Sequence, residues 1–135
     1  MDASRGKQEE VESQGGNERF SVLLVDDSDD IRQVLRLQLE NEGFDIVGEA
    51  NSGVGVLPMV LKSQPDFVIL DLRMPRLNGQ QTAEAIRLSA PHTRILAFSA
   101  YLTEQPPWAD AFISKSGITQ LPGLLRELAA ETAKN

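Results

Sequence analysis

The sequence predicts an α/β domain built as a doubly wound, five-stranded parallel sheet. Two observations carry that expectation: short apolar runs alternate with stretches of helical spacing, and several of the runs end in Asp, Ser or Lys. Alternating strands and helices of this length imply parallel pairing with right-handed crossovers. In such sheets the carboxyl ends of the strands open onto the crevice where ligands bind, so polar residues there are placed for chemistry.

The 135 residues suit one domain of ordinary size. Cysteine is absent, which excludes disulfides, thiolate metal sites and a cysteine nucleophile and suits a reducing, cytoplasmic setting. Met1 to Glu12 is polar and acidic where a secretory signal needs an apolar core, and no later run is long enough to span a membrane. The net charge of −7 divides into −2 for residues 1–19 (three basic, five acidic) and −5 for the rest (ten basic, fifteen acidic). No basic patch argues for nucleic acid. Residues 1–19 hold a single aliphatic, Val11, and read as a disordered acidic tail. Residues 20–135 are left as the folded domain.

Phe20 to Val25 is the first apolar run, and Asp26-Asp27 follows it. Ile31, Val34, Leu35 and Leu39 then recur at helical spacing. Asp29 and Asp30 suit the start of that helix, whereas Asp26 and Asp27 lie too early for a capping role. An EF-hand loop is excluded, because Arg32 stands where a glycine is required. Glu42-Gly43 closes the helix, and Phe44 to Ala50 is the second strand. Asn51 is placed to cap the next helix, with Val54, Leu57 and Leu61, flanked by Val56 and Val60, as its buried stripe up to Ser63 before Pro65.

Asp66 to Gly79 is the stretch the rest serves. Phe67 to Leu70 reads as a strand buried on both faces, with Asp71 at its end and Pro75 excluding further central strand. Asn78-Gly79 is a turn signal before a helix from about Gln80 to Leu88, with Ala83 and Ile86 inward and Pro91 ending it. Arg94 to Ser99 is the fourth strand. Pro106-Pro107 forbids a continuous helix across Tyr101 to Asp110, so at most a short helical turn fits. Ala111 to Ile113 is the fifth strand and leads to Ser114-Lys115. Leu121, Leu124, Leu125 and Leu128 mark the last helix, whose first turn tolerates Pro122.

One rim of the sheet thereby collects Asp26, Asp27, Asp71, Ser99 and Lys115. Three carboxylates side by side call for a cation, and Mg²⁺ favours a few carboxylates, retained waters and phosphate oxygens. Two acids would hold the metal while the third, Asp71, accepts a phosphoryl group as an acyl phosphate. Lys115 would add a compact positive charge, and Ser99 a hydroxyl donor.

These residues resemble, in type, order and spacing, the response-regulator receiver domain of two-component signalling, from about Phe20 to the final helix. Asp71, Met74, Pro75 and Gly79 fit its Asp-x-x-Met-Pro-x-x-x-Gly pattern. The resemblance implies a flavodoxin-like sheet of order 2-1-3-4-5. It implies Mg²⁺ held by Asp26, Asp27, Asp71 and the backbone carbonyl of Arg73. The phosphoryl donor would be a histidine kinase or histidine phosphotransfer protein, and the switch residues Ser99 and Phe112. Arg73 and Tyr101 would tune acyl-phosphate lifetime. A downstream protein partner and a homodimer fit the family. The chain would catalyse only its own phosphorylation and dephosphorylation.

Two features depart from the family pattern. Ser116 replaces the proline that most receivers carry after the lysine. The Ser99 to Lys115 interval is several residues short, so the fourth helix, between the fourth and fifth strands, is expected to be truncated or remodelled. With it would change the face that the family uses for signalling and dimerisation.

Other readings are weaker. Gly53-Val54-Gly55 imitates a dinucleotide fingerprint, but Pro58 occupies the third glycine position. An aspartyl phosphatase needs a second acid where Arg73 stands. A degenerate, phosphorylation-independent interaction module would have no use for all five site residues. His92 reads as exposed loop and Trp108 as local core.

Overall fold

The structure is a computed structural model that describes residues 19–72, 74, 78–100 and 104–134. The elements run β1 (Ser21–Val25), α1 (Asp29–Asn41), β2 (Asp45–Ala50), a 3₁₀ turn (Gly53–Gly55), α2 (Val56–Ser63), β3 (Phe67–Asp71) and α3 (Gly79–Ser89). They continue through β4 (Arg94–Ser99), β5 (Ala111–Ser114), a second 3₁₀ segment (Lys115–Gln120) and α4 (Leu121–Lys134). All five strands pair in parallel, in the order β2-β1-β3-β4-β5. The expected doubly wound, flavodoxin-like sheet is present.

Strand alternation divides the core into two layers. Val22 and Leu24 of β1 and Phe67 and Ile69 of β3 face α1 and α4, where Leu35, Leu39, Leu121 and Leu125 cover them. Leu23 and Val25, with Val68 and Leu70, face the opposite way onto Val56 and Val60 of α2 and Ala83 and Ile86 of α3. Both faces of β1 and β3 are buried, and for that reason these two strands read as near-continuous apolar runs.

Local signals set the helix ends. Ser28 caps α1 by accepting from the Ile31 N–H at 3.2 Å, with Asp29 and Asp30 in the first turn. Gly43, at φ 92°, ends α1 in the left-handed region that glycine tolerates. Asn78 caps α3 through the Gln81 N–H at 2.9 Å.

α2 differs from expectation. Asn51 does not cap it: the helix begins only at Val56, after the 3₁₀ turn, and Gly55 occupies the cap position without a side-chain bond. Starting there rotates the stripe, so Val56 and Val60 face the sheet while Val54 and Leu61 are 71% and 51% exposed. Leu57 is half-buried. Pro58 then falls in the first turn, where its missing N–H costs nothing. Val34 of α1 is likewise 50% exposed, on the outer edge of its stripe. A register shift between Val22 and Leu23 bulges β2 at Val47 and turns that side chain outward.

Between β4 and β5 the described residues, 104–110, form turns and bends with no helix. Instead they fold onto α3. Arg87 donates to the Trp108 carbonyl at 2.7 Å and pairs with Asp110 at 3.3 Å. Asp110 accepts the Ile95 N–H at 2.7 Å, and its own N–H donates to the Ile95 carbonyl at 2.8 Å. Trp108 packs, half-buried, against the α2–α3 layer, as expected of local core. His92 is exposed, 3.3 Å from the Gln64 carbonyl.

Residues 1–18 lie outside the described residues. Arg19, the last residue of the expected tail, pairs with Asp45 at 2.7 Å. No described helix is long and apolar enough to cross a membrane.

Candidate functional site

The C-terminal rim of the sheet assembles four charged side chains. Asp26 directly follows β1, and its N–H extends the pairing with β2 by donating to the Ala50 carbonyl at 3.0 Å. Its Oδ1 accepts the Ser28 N–H at 2.9 Å. Asp71 closes β3 opposite Phe98 of β4, and both acids are 1% exposed. Asp27, one residue on, is exposed at the mouth of the site. One carboxylate oxygen from each of Asp26, Asp27 and Asp71 lies within 4.8 Å of the others.

Lys115 follows β5 and reaches back over the Phe98 ring, its Nζ 5.5 Å from the centroid. It donates to Asp71 Oδ2 at 3.2 Å and stands 3.0 Å from Asp26 Oδ2. The Asp26 contact is an ion pair without hydrogen-bond geometry, so among the described residues Asp26 Oδ2 is a buried oxygen with no hydrogen-bond donor. Strand alternation explains the convergence. Asp26, Asp71 and Lys115 continue the parity of Leu24, Ile69 and Ile113.

Burial pushes the Asp26 carboxyl above its usual range, opposed by the Ser28 N–H and Lys115, while the Asp71 charge adds to the rise. Burial pulls the Lys115 ammonium down, but its close pairing with the Asp26 and Asp71 carboxylates outweighs that, and the net displacement is upward. Among the described residues, one ammonium, that of Lys115, stands against the three carboxylates. An acidic cluster with an unbonded buried oxygen fits a hard divalent cation, with Asp26, Asp27 and Asp71 as oxygen donors.

Ser99 ends β4 at the same rim, 1% exposed and in register with Ser114 of β5. Phe112, half-buried, pairs with Ala97, two residues below Ser99. Ser99 and Phe112 share the parity opposite to that of Asp71 and Lys115. Ser114 caps the 3₁₀ segment, its Oγ accepting the Ser116 N–H at 3.2 Å. Met74 is buried in the α2–α3 layer. Arg73 and Tyr101, together with Pro75, lie outside the described residues.

One side chain at the rim was not anticipated as part of it. Arg32 of α1 donates to the Asp26 carbonyl at 2.6 Å and to Glu49 Oε1 at 3.0 Å, and it also pairs with Asp29. The sequence does hold a signal for it, a cation near the start of a helix, where the macrodipole disfavours one.

A parallel 2-1-3-4-5 sheet with an acidic cluster and a lysine at its carboxyl rim defines a receiver-type α/β domain. Residues 22–115 match the response regulator receiver domain family, and the chain belongs to that family of two-component systems. Among curated relatives, the protein-glutamate methylesterase/protein-glutamine glutaminase 3 of Hahella chejuensis is 32% identical over 103 residues, 76% of this chain and 30% of that protein. The chain spans between 30% and 40% of the length of curated relatives of this kind. The response regulator TrrA of Thermotoga maritima, solved with Mg²⁺-BeF, superposes with a TM-score of 0.72 at 30% identity, covering 81% of this chain and 98% of that one. The response regulator domain of Thermotoga maritima CheB gives a TM-score of 0.71 at 26% identity, covering 84% and 96%.

Proposed function

We propose that the chain is a phosphorylation-dependent switch in which Asp71 accepts a phosphoryl group from a phosphohistidine on a histidine kinase or phosphotransfer protein. The observation that carries the reading is Lys115 Nζ held between two buried carboxylates, 3.0 Å from Asp26 and 3.2 Å from Asp71. A lysine so placed offsets the charge of the acids now and is within reach of a phosphoryl oxygen later.

Mg²⁺ would be held by Asp26, Asp27, Asp71 and the Arg73 carbonyl, and it would neutralise charge on the transferring phosphoryl oxygens. An Asp71 carboxylate oxygen attacks phosphorus, the P–N bond to the donor imidazole breaks, and the imidazole leaves with a proton from solvent. Lys115 exchanges part of its carboxylate pairing for the new phosphoryl oxygens. The Ser99 hydroxyl donates to one of them, and Phe112 follows that movement as the switch aromatic. Arg73 and Tyr101 govern how readily water reaches the acyl phosphate. The setting is the cytoplasm, where the donor kinase domain resides, with a downstream protein reading the phosphorylated form, as a monomer or homodimer.

Incubation with Mg²⁺ and acetyl phosphate, read by intact mass, tests the proposal. Wild type should gain one phosphoryl group and Asp71→Asn none. Unmodified wild type would favour the degenerate, phosphorylation-independent interaction module.

A further inference from the structure

We infer that Arg32 is a positioning residue for the acidic pair: it clamps the Asp26 backbone and so sets where the carboxylates stand for a divalent cation. The inference rests on the Mg²⁺ reading above and deepens it.

Three observations converge on Arg32. Its side chain is only 13% exposed, although arginine ordinarily extends into water. It sits at the opening of α1, where a cation opposes the helix macrodipole, and within the helix only its (i,i+3) pair with Asp29 offsets that. Its guanidinium leaves the helix to meet three separate acceptors: the Asp26 carbonyl at 2.6 Å, Glu49 of β2 at 3.0 Å, and Asp29.

The carbonyl contact is the telling one. The β1–β2 register ends at Val25 opposite Ala50, so the Asp26 carbonyl lies beyond the ladder. Arg32 supplies its donor at the point where the chain turns from strand to helix. Together with the Asp26 N–H on Ala50 and the Ser28 N–H on Oδ1, this bond holds Asp26 at the backbone on both sides and at the carboxylate. Glu49 anchors the clamp in turn and is shared with Arg36. A rigid planar fork holds a carbonyl and two carboxylates in one fixed arrangement, whereas an ammonium is a compact point charge on a flexible stem.

Electrostatics and positioning predict opposite signs here. Removing a cation beside an acidic cluster should tighten Mg²⁺ binding if charge alone matters. Removing a clamp should weaken it, since partners that orient metal ligands commonly contribute about 10-fold or more to affinity. A cavity of about 190 Å³ beside Arg32, Ala50 and Met59 leaves room for a Met or Lys side chain to settle.

The experiment is calorimetric titration of the full chain with Mg²⁺ alone, for wild type, Arg32→Met and Arg32→Lys, with thermal unfolding in chelator beside it. The expected result is a Mg²⁺ dissociation constant raised about 10-fold in Arg32→Met. A smaller rise of the same sign is expected in Arg32→Lys, which keeps the charge and loses the fork. Should Arg32→Met be too unstable to titrate, Arg32→Lys decides alone. Affinity equal to or tighter than wild type in the folded variants overturns the clamp while leaving the metal site standing. Failure of wild type itself to bind Mg²⁺ overturns both.

Discussion

Trp108 lies so close over Gly79 that a Cβ on the glycine would stand 2.7 Å from the indole Cζ2 and 2.9 Å from Cη2. The first residue of α3 is therefore glycine because a tryptophan from the segment before β5 occupies the space of a side chain. Leu72, directly after Asp71, is the third member of the contact, with its Cδ2 3.3 Å from the same position.

Gly79→Ala ordinarily stabilises a helix by about 0.4–1 kcal/mol. Here it is expected to destabilise by about 1–3 kcal/mol through overpacking. In a Trp108→Ala background the sign should revert. Urea unfolding of the two single variants and the double variant measures this, and additive effects would mean the indole does not press on Gly79.

Trp108 is the chain's single tryptophan. Its ring lies against Gly79, which Leu72, the residue directly after Asp71, also approaches. Addition of beryllofluoride with Mg²⁺ is expected to change tryptophan emission in wild type and to leave Asp71→Asn unchanged. Identical spectra in both proteins would mean that the indole does not sense the state of Asp71.

Asp27 is exposed and carries the cluster's most accessible carboxylate. Asp27→Ala should weaken Mg²⁺ binding by about 10-fold or more. Stability without metal should change by no more than about 0.5 kcal/mol, as for an ordinary surface site. Calorimetry and thermal unfolding separate the two effects.

Lys115→Met removes the cation that faces two carboxylates, each 1% exposed. Stripping a buried pair of one partner costs about 3 kcal/mol or more, and the loss should appear in unfolding measured with chelator. Mg²⁺ at about 100 times its dissociation constant should return about 2.7 kcal/mol by mass action. A variant as stable as wild type in chelator would mean that Lys115 does not compensate the acids.

Asp110→Ala leaves the Ile95 N–H without its 2.7 Å acceptor and removes the ion-pair partner of Arg87, which keeps the Trp108 carbonyl. A cost of about 1–3 kcal/mol is expected from the unsatisfied donor. Asp110→Asn, which keeps an acceptor oxygen, should cost less. Denaturant unfolding of the pair provides the comparison.

The amino-acid sequence by itself determined the strands and what ends them. Each buried strand is a continuous apolar run, because both faces are covered, and the first polar residue past the run marks the rim. That local rule places Asp26, Asp71 and Ser99, and Lys115 one residue past Ser114, without any knowledge of their partners. Gly43 and Asn78 were legible for the same reason, since cap and turn chemistry acts over a few residues. Tertiary structure alone decided the rest. The phase of α2 depended on a 3₁₀ turn that delays the helix to Val56, and the outward turn of Val47 depended on a bulge against β1. Arg32 reaches Asp26 and Glu49 only once α1 and β2 flank β1, and Trp108 meets Gly79 only when the shortened segment after β4 folds onto α3. Contacts between residues far apart in the chain exist only after the sheet has assembled, so spacing along the sequence carries no trace of them.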